Sequence, residues 1–266
     1  MPEPVVLVAR DGAVATITLN RPRALNALDR ELTLALQDAV FSVEKDESIR
    51  CVVLRGGEHF MAGGDLKWFK ALSEGKSAAE NRAQFEGFIQ EAHAIILCLR
   101  RMPKPVIASV RGAVAGFGMS LMMACDLAAA ADSAYFTLAY TLIGVSPDGG
   151  STFALPRTVG QKKAMEIALL GERFDAATAL QLGLLNKITP PASLDVETTN
   201  LAKKLAQGPA QVYARTKALL NGSLGATLEE QLGREAQAFA QSASEPDFAE
   251  GVAAFIEKRK PRFTGA

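Results

Sequence analysis

The chain has few of the residues from which metal centres and nucleophilic triads are built, namely two histidines and three cysteines among 266 residues. His59 and His93 belong to no Cys/His group with the spacing of a zinc site, so we predict no metal. His93 is predicted to be an ordinary helix histidine. Cys51, Cys98 and Cys125 stand in apolar surroundings without a pairing pattern, which indicates free thiols in a reducing compartment.

The chain also lacks net charge, because 29 basic residues balance 29 acidic ones. Nucleic acid is therefore not an expected partner, since non-specific binding needs a basic surface. No apolar run reaches membrane-spanning length, and the start Met-Pro-Glu-Pro-Val has no basic segment followed by an apolar one. We expect a cytoplasmic protein without a membrane partner.

Several phosphate-binding and hydrolase motifs are incomplete or missing. No lysine follows a glycine turn as in a P-loop, and Gly118-Met-Ser-Leu-Met122 lacks the closing glycine of a nucleophile elbow. The run from Gly116 to Leu121 has only part of a dinucleotide fingerprint, so a Rossmann oxidoreductase stays an alternative with an incomplete motif.

Apolar periodicity predicts an α/β front half followed by a mostly helical rear third. Asp-Gly at 11–12 predicts a hairpin of strands 5–8 and 14–19, and Asp29 is placed to cap a helix running to about residue 44. Apolar runs at 51–54 and 106–110 are typical of strands buried on both faces. After Gly150, helical patterns dominate up to about residue 258.

Two glycine-rich turns, residues 60–65 and 111–120, each follow an apolar strand and open into a helix. A helix start leaves backbone N–H groups without partners inside the helix. Two such turns facing each other could direct two N–H donors at one oxygen, which stabilises a developing oxyanion without a metal.

Several motifs, in this order and spacing, resemble those of the crotonase superfamily, the enoyl-CoA hydratase/isomerase family, over essentially the whole chain. They are Asn20-Arg-Pro-Arg-Ala-Leu-Asn-Ala-Leu28, Phe60-Met-Ala-Gly-Gly-Asp65, Lys104-Pro-Val-Ile-Ala-Ser-Val-Arg-Gly112, Ala115-Gly-Phe-Gly118, Met123-Ala-Cys-Asp126, Ser146-Pro-Asp-Gly-Gly150 and the ending at 251–260.

The resemblance implies a crotonase-like spiral of ββα units, with residues 1–195 as the α/β core and residues 196–266 as a helical C-terminal trimerisation region. It also implies a homotrimer or homohexamer and an acyl-CoA thioester substrate, with no cofactor apart from the coenzyme A that belongs to the substrate. The two oxyanion donors of the family fall on the N–H groups of Gly64 and Phe117.

Further binding residues are also implied only by the resemblance. Coenzyme A contacts are expected at Arg23, Ala24, Leu25, Ala27, Ala62, Asp65, Lys67, Phe255 and Lys258, the last two closing over the coenzyme of a neighbouring subunit. An acyl pocket is expected at Met61, Met119, Ser120 and Tyr140, although methionines of this kind are also ordinary core residues.

One departure from the family pattern bears on the reaction. The family's hydratases use two glutamates, and the matching positions here are Ser120 and Tyr140, neither of which is a carboxylate. Asp148 matches a position where several relatives, including naphthoate synthases and a dehalogenase-type branch, place a functional aspartate. The run from Pro147 to Arg157 also resembles the isomerases of phenylacetate degradation. The alternative is that Asp148 only forms a turn or caps a helix.

A single carboxylate is enough to move a double bond from the 3-position to the 2-position of an enoyl-CoA, so an isomerase with Asp148 as the proton shuttle is the favoured hypothesis. A hydratase acting on a 2-enoyl-CoA, a ring-opening or C–C-cleaving acyl-CoA lyase, and a non-catalytic RNA-binding relative remain as alternatives. Balanced charge disfavours the RNA-binding relative.

Overall fold

A computed structural model describes residues 3–265 of the chain. Residues 1–2 and 266 lie outside the described residues. They are the first two residues of the predicted α/β core and the last residue of the predicted C-terminal region. Residues 1–2 also belong to the Met-Pro-Glu-Pro-Val segment discussed above. No helix within the described residues is both long and apolar enough to cross a membrane.

The described chain alternates strands and helices up to about residue 190 and is helical thereafter. The strands are β1 (Val6–Asp11), β2 (Val14–Leu19), β3 (Cys51–Arg55), β4 (Val106–Val110), β5 (Ala113–Ala115), β6 (Leu127–Ala131), β7 (Tyr135–Thr137), β8 (Phe174–Asp175) and β9 (Lys187–Thr189). The helices are α1 (Arg30–Lys45), α2 (Leu66–Ser73), α3 (Ala78–Arg101), α4 (Phe117–Ala124), α5 (Ser151–Val159), α6 (Gln161–Leu170), α7 (Ala176–Gln181), α8 (Leu194–Ala206), α9 (Ala210–Ser223), α10 (Leu228–Ala243) and α11 (Pro246–Ile256).

The main sheet has the order β1-β2-β3-β4-β6-β9, and all its pairs are parallel except the β1–β2 hairpin. A second, smaller sheet has the order β5-β7-β8. β3 and β4 are almost completely buried, as the apolar runs predict, because helices cover both faces of the parallel strands.

Local sequence signals set most of the element boundaries. The carboxylate of Asp29 accepts a hydrogen bond from Leu32 N at 2.9 Å and caps α1, whose buried face includes Leu32, Leu36, Val40 and Val43. The predicted helix start at Asp29 and its apolar stripe are therefore confirmed.

Helix α5 was not predicted, although it directly follows the Pro-Asp-Gly-Gly segment. Its N-cap is Gly150, which supplies no capping side chain, and Pro156 lies inside it. A sequence predicts a helix from a polar cap residue and from a helical run without proline, and α5 has neither.

The predicted boundary between residues 195 and 196 falls inside α8. Ala202 and Ala206 of this helix pack with Val14, Val53 and Ile107 of the main sheet. Helix α8 therefore belongs structurally to the α/β core, and the helical region that follows begins with α9.

Candidate active site

A cavity of about 690 Å³ lies where the two glycine-rich turns, α2, α3 and the segment before α5 meet. Five of the predicted site residues line it: Ala62, Gly64, Phe117, Tyr140 and Asp148. Chain segments more than 80 residues apart in sequence thus form one concave surface.

The two glycine turns are held in direct contact. Met61 N donates to Ala113 O at 3.0 Å, and Ala115 N donates back to Met61 O at 2.9 Å. A methyl group built at Gly116, where φ is +49°, would lie only 3.4 Å from Gly63 Cα. This close approach places Gly64 and Phe117, the next residue of each turn, on the same cavity wall.

The N–H groups of Gly64 and Phe117 have no hydrogen-bond partner within residues 3–265. Phe117 is the first residue of α4, so its N–H lies before the first hydrogen bond of the helix. Gly64 lies between two residues that are hydrogen-bonded to Leu28. Gly63 O accepts from Leu28 N, and Asp65 N donates to Leu28 O. Both donors are thus available to an oxygen atom in the cavity.

The Asp148 side chain faces this cavity and does not cap α5. Its Oδ1 accepts a hydrogen bond from the Tyr140 hydroxyl, and its main-chain oxygen accepts from Ser151 N at 3.1 Å and from Ser120 Oγ at 2.9 Å. The helix-cap alternative for the carboxylate is therefore wrong, since the turn is held by the main-chain oxygen.

Burial raises the pKa of Asp148, and the hydrogen bond from Tyr140 together with nearby His93 only partly opposes this shift. The carboxylate is consequently a stronger base than an exposed aspartate. Burial and the Asp148 charge also raise the pKa of Tyr140, which therefore stays protonated and donates to the carboxylate.

His93 is a helix histidine, as predicted, and it also lines the cavity. It lies on α3 with its ring at the cavity wall, and its Nε2 accepts a hydrogen bond from Gly149 N at 3.1 Å. No sequence motif signals this contact, because it depends on how α3 packs against the segment before α5.

The predicted acyl-pocket residues Met61, Met119 and Ser120 are not among the described residues that line this cavity, and their role in binding an acyl group stays a prediction. Met61 and Met119 are fully buried in the main core. Ser120 is also buried, behind the wall, where its hydroxyl supports the Asp148 main chain. Of the four predicted residues, Tyr140 alone reaches the cavity.

Asp65 caps helix α2, and its predicted contact with coenzyme A stays a prediction. Its Oδ1 accepts from Lys67 N at 3.1 Å and Trp68 N at 3.2 Å, which caps α2, while Oδ2 pairs with Arg21 at 3.2 Å. Arg21 also pairs with Asp29 at 2.8 Å and donates to Ala27 O. Asp65 and Arg21 therefore fix the first glycine turn against the loop that precedes α1.

The remaining predicted coenzyme A residues fall into two groups. The loop with Arg23, Ala24, Leu25 and Ala27 borders the cavity, because Leu25 O accepts a hydrogen bond from Ala62 N at 3.1 Å. Lys67, Phe255 and Lys258 do not line the cavity, and the Phe255 side chain is 86% exposed in the single chain. Lys70, one helical turn after Lys67, does line it and was missed.

The rest of the lining is largely apolar and rich in aromatic rings. Phe69 contacts Phe85 edge to face, with ring centroids 5.3 Å apart, and Phe88 at 5.9 Å. These rings share the cavity with Phe117 and Tyr140. Such a surface excludes water around a bound acyl group and strengthens the electrostatic interactions at its polar end.

Comparison with known proteins agrees with this arrangement. A family model for enoyl-CoA hydratase/isomerase matches residues 9–266. The chain is 36% identical over 253 residues to 1,2-epoxyphenylacetyl-CoA isomerase of Escherichia coli, with 95% of each chain covered. It is 31% identical over 261 residues to trans-2-decenoyl-[acyl-carrier-protein] isomerase of Streptococcus mutans, covering 98% of each.

Solved structures show the same architecture. A crystal structure of an enoyl-CoA hydratase from Polaromonas sp. JS666 superposes with a TM-score of 0.90 at 36% identity, covering 97% of this chain and 99% of that one. The mixed α/β fold with its parallel sheet is thus the crotonase fold predicted from the sequence. The chain belongs to the enoyl-CoA hydratase/isomerase family, within the crotonase superfamily.

Proposed function

We propose that this protein is an enoyl-CoA isomerase that converts a 3-enoyl-CoA into a 2-enoyl-CoA. The observation that carries the proposal is the presence of one partly buried carboxylate, Asp148, in a cavity that also presents the free N–H groups of Gly64 and Phe117. This arrangement suits proton transfer next to a thioester carbonyl.

The reaction proceeds through an enolate. The Asp148 carboxylate removes a proton from C2, and the electron pair of the C2–H bond moves toward the thioester oxygen. The N–H groups of Gly64 and Phe117 stabilise the negative charge on that oxygen, each donor contributing about 3–4 kcal/mol at the transition state. Asp148 then returns its proton to C4, and the double bond becomes conjugated with the carbonyl.

The composition of the cavity favours isomerisation over hydration. Among the described residues that line it, Asp148 is the one carboxylate, whereas Ser120 lies behind the wall and Tyr140 is held protonated. Adding water across a double bond requires both activation of the water and delivery of a proton to carbon. Isomerisation needs one group that takes up and returns the same proton.

The direct test is turnover of a 3-enoyl-CoA by the purified wild-type protein and by Asp148→Asn. We expect conversion to the 2-enoyl-CoA by the wild type and a loss of at least about 100-fold in the variant, since general base catalysis contributes on that scale. Asp38→Asn is the control, because Asp38 is exposed on α1 outside the cavity. Unchanged turnover by Asp148→Asn would remove this residue from the mechanism.

Hydration of a 2-enoyl-CoA is the main rival. It requires Asp148 alone to organise the water, and hydratase names occur among the similar proteins. Measuring water addition to crotonyl-CoA distinguishes the two, because an isomerase of the proposed kind adds water slowly or not at all.

A ring-opening or C–C-cleaving reaction on a cyclic acyl-CoA has a specific observation in its favour. Phe69, Phe85 and Phe88 form an aromatic wall of the cavity, which packs well against a ring. The same enolate would serve that chemistry. Product analysis with cyclic acyl-CoA thioesters tests this alternative.

The remaining predictions from the family resemblance are part of the same proposal. We infer that the Arg23–Ala27 loop binds the nucleotide part of coenzyme A, and that Lys70 in the cavity wall assists Lys67 near it. Phe255 and Lys258 would act on a neighbouring subunit of a homotrimer or homohexamer. No separate cofactor is proposed, and the reaction takes place in the cytoplasm.

A further inference from the structure

Asp148 is supported by two groups that the proposed reaction does not itself use. The Tyr140 hydroxyl donates to Oδ1, and the next peptide N–H, that of Gly149, donates to His93 Nε2 at 3.1 Å. Oδ2 accepts no hydrogen bond from any other residue in the described part of the chain. The two oxygens of this carboxylate therefore have different surroundings.

Tyr140 restricts the carboxylate rather than sharing its proton transfer. Burial and the neighbouring Asp148 charge raise the pKa of the phenol, so the hydroxyl remains a donor. Turning the carboxylate away from Tyr140 would break this part-buried hydrogen bond. One oxygen is consequently kept at the tyrosine and the other, Oδ2 in this structure, is left for the substrate.

His93 restricts the main chain on the other side of Asp148. Gly149 has φ of +60°, and a methyl group built there would lie 2.6 Å from Ser120 Cβ and 3.0 Å from the Phe117 ring. The peptide is thus confined between α4 and α3, and its N–H points at the imidazole. Nε2 is the ring nitrogen that accepts this hydrogen bond.

We propose that Tyr140 and His93 are positioning residues that present only Oδ2 of Asp148 to the substrate, so that this one oxygen removes the C2 proton and returns it to C4. In the first transfer the C2–H bond breaks, an Oδ2–H bond forms and the electron pair enters the enolate. In the second, the Oδ2–H bond breaks and the enolate electrons form the C4–H bond. The inference rests on the proposed isomerase function.

The test compares Tyr140→Phe, His93→Leu and His93→Gln in steady-state turnover of a 3-enoyl-CoA. Tyr140→Phe and His93→Leu should each lower kcat by about 100-fold, the loss expected when a reacting group shifts by about 1 Å. KM should change much less than kcat, because the main contact of each side chain is with Asp148 or its neighbouring peptide. His93→Gln keeps an acceptor for Gly149 N and should recover most of kcat.

The second histidine of the chain provides a matched control. His59 Nδ1 also accepts a main-chain N–H, that of Ala113 at 3.0 Å, but His59 does not line the cavity. His59→Gln should retain the wild-type kcat. A wild-type kcat in Tyr140→Phe, or equal losses in His93→Gln and His93→Leu, would overturn the positioning roles, as would losses confined to KM.

A labelling measurement on the wild type tests the inference even if a variant fails to fold. With a 3-enoyl-CoA carrying deuterium at C2, a single carrier oxygen should deliver part of the label to C4. Complete replacement by solvent hydrogen at C4 would overturn the single-oxygen route. Assaying Asp148→Asn in parallel distinguishes failure of the isomerase mechanism from failure of the positioning roles. Activity in Asp148→Asn would refute the isomerase mechanism. Loss of activity in Asp148→Asn, with wild-type activity in the Tyr140 and His93 variants, would refute the positioning roles alone.

Discussion

Asp148 is the residue whose surroundings decide what the cavity can do. The carboxylate is removed from water and faces an apolar wall, yet it has a donor on one oxygen and a polar main-chain anchor. A base that is partly desolvated in this way abstracts protons more readily than one on the surface. The same desolvation lowers the stability of the folded state when the carboxyl is ionised.

This loss of stability predicts a pH-dependent change in stability for Asp148→Asn. Burial raises the pKa of Asp148 above the ordinary 3.8, so the contribution of its carboxyl to stability is present below pH 3.8 and lost as pH rises through the raised value. Asp148→Asn should melt at a higher temperature than the wild type at pH 7, by about 2–4 °C for each kcal/mol removed.

The measurement is a series of thermal melts between pH 3.5 and 8 (roughly the range in which the carboxyl ionises). The advantage of Asp148→Asn should shrink as the pH falls, and Asp38→Asn is the control for replacing an exposed carboxyl outside the cavity. A lower melting temperature for Asp148→Asn at pH 7 would contradict the description of this carboxylate as desolvated.

Among the elements, α2 depends on one cap that also borders the cavity. Asp65 accepts hydrogen bonds from Lys67 N and Trp68 N, and α2 carries Leu66, Phe69 and Lys70 of the lining. Asp65→Ala should destabilise the protein by about 1–2 kcal/mol through loss of the cap. Because the cavity wall moves with the helix, KM for the acyl-CoA should also rise.

Asp175 is the matched control for Asp65, because it also caps a helix but that helix does not line the cavity. Its carboxylate accepts from Thr178 N at 2.8 Å and caps α7, which contributes no residue to the lining. Asp175→Ala should cost a similar free energy of unfolding, measured by denaturant titration, with KM unchanged. Equal KM values for the two cap variants would show that α2 does not shape the binding surface.

Helix starts and buried strands were the features that the sequence predicted best. The cap at Asp29 and the apolar strands at 51–54 and 106–110 were predicted and are confirmed. The facing of the glycine turns followed from their shared strand-to-helix pattern. The His93–Gly149 contact and the burial of Met61, Met119 and Ser120 could not be predicted, because they depend on how α3 and α4 pack.

At the scale of the whole molecule, Lys217 ties the helical C-terminal part to the α/β core. From α9 its Nζ donates to Asp126 Oδ2 and Leu99 O, both at 2.8 Å, and its side chain is only 9% exposed. Lys217→Met leaves the carboxylate of Asp126, whose side chain is 26% exposed, without its cation and leaves Leu99 O without this donor. We expect a loss of about 2 kcal/mol, measured by chemical denaturation.

The control is Lys187→Met, which removes an ion pair of the same 2.8 Å length. The Lys187–Glu197 pair is about half exposed, so its loss should cost less than about 1 kcal/mol. If both variants lost the same free energy, the C-terminal helices would not depend on Lys217 for their attachment.

The C-terminal helices also leave a large apolar surface uncovered in the single chain. Leu224, Leu232, Phe239, Phe255 and Ile256 are each more than half exposed. Exposed large apolar side chains concentrated on neighbouring helices are typical of an interface. We predict that the protein is a trimer or hexamer by light scattering, and that Phe239→Glu reduces the assembled fraction; a monomeric wild type would contradict this prediction.

The central claim is that the cavity generates an enolate from an acyl-CoA by means of Asp148 and two main-chain donors. Its most direct test is exchange of the C2 hydrogens of phenylacetyl-CoA with deuterium oxide, followed by NMR. This thioester has an acidified C2–H bond but no double bond to move, so exchange reports proton removal alone. We predict catalysed exchange by the wild type and none by Asp148→Asn; exchange at equal rates in both proteins would contradict the account.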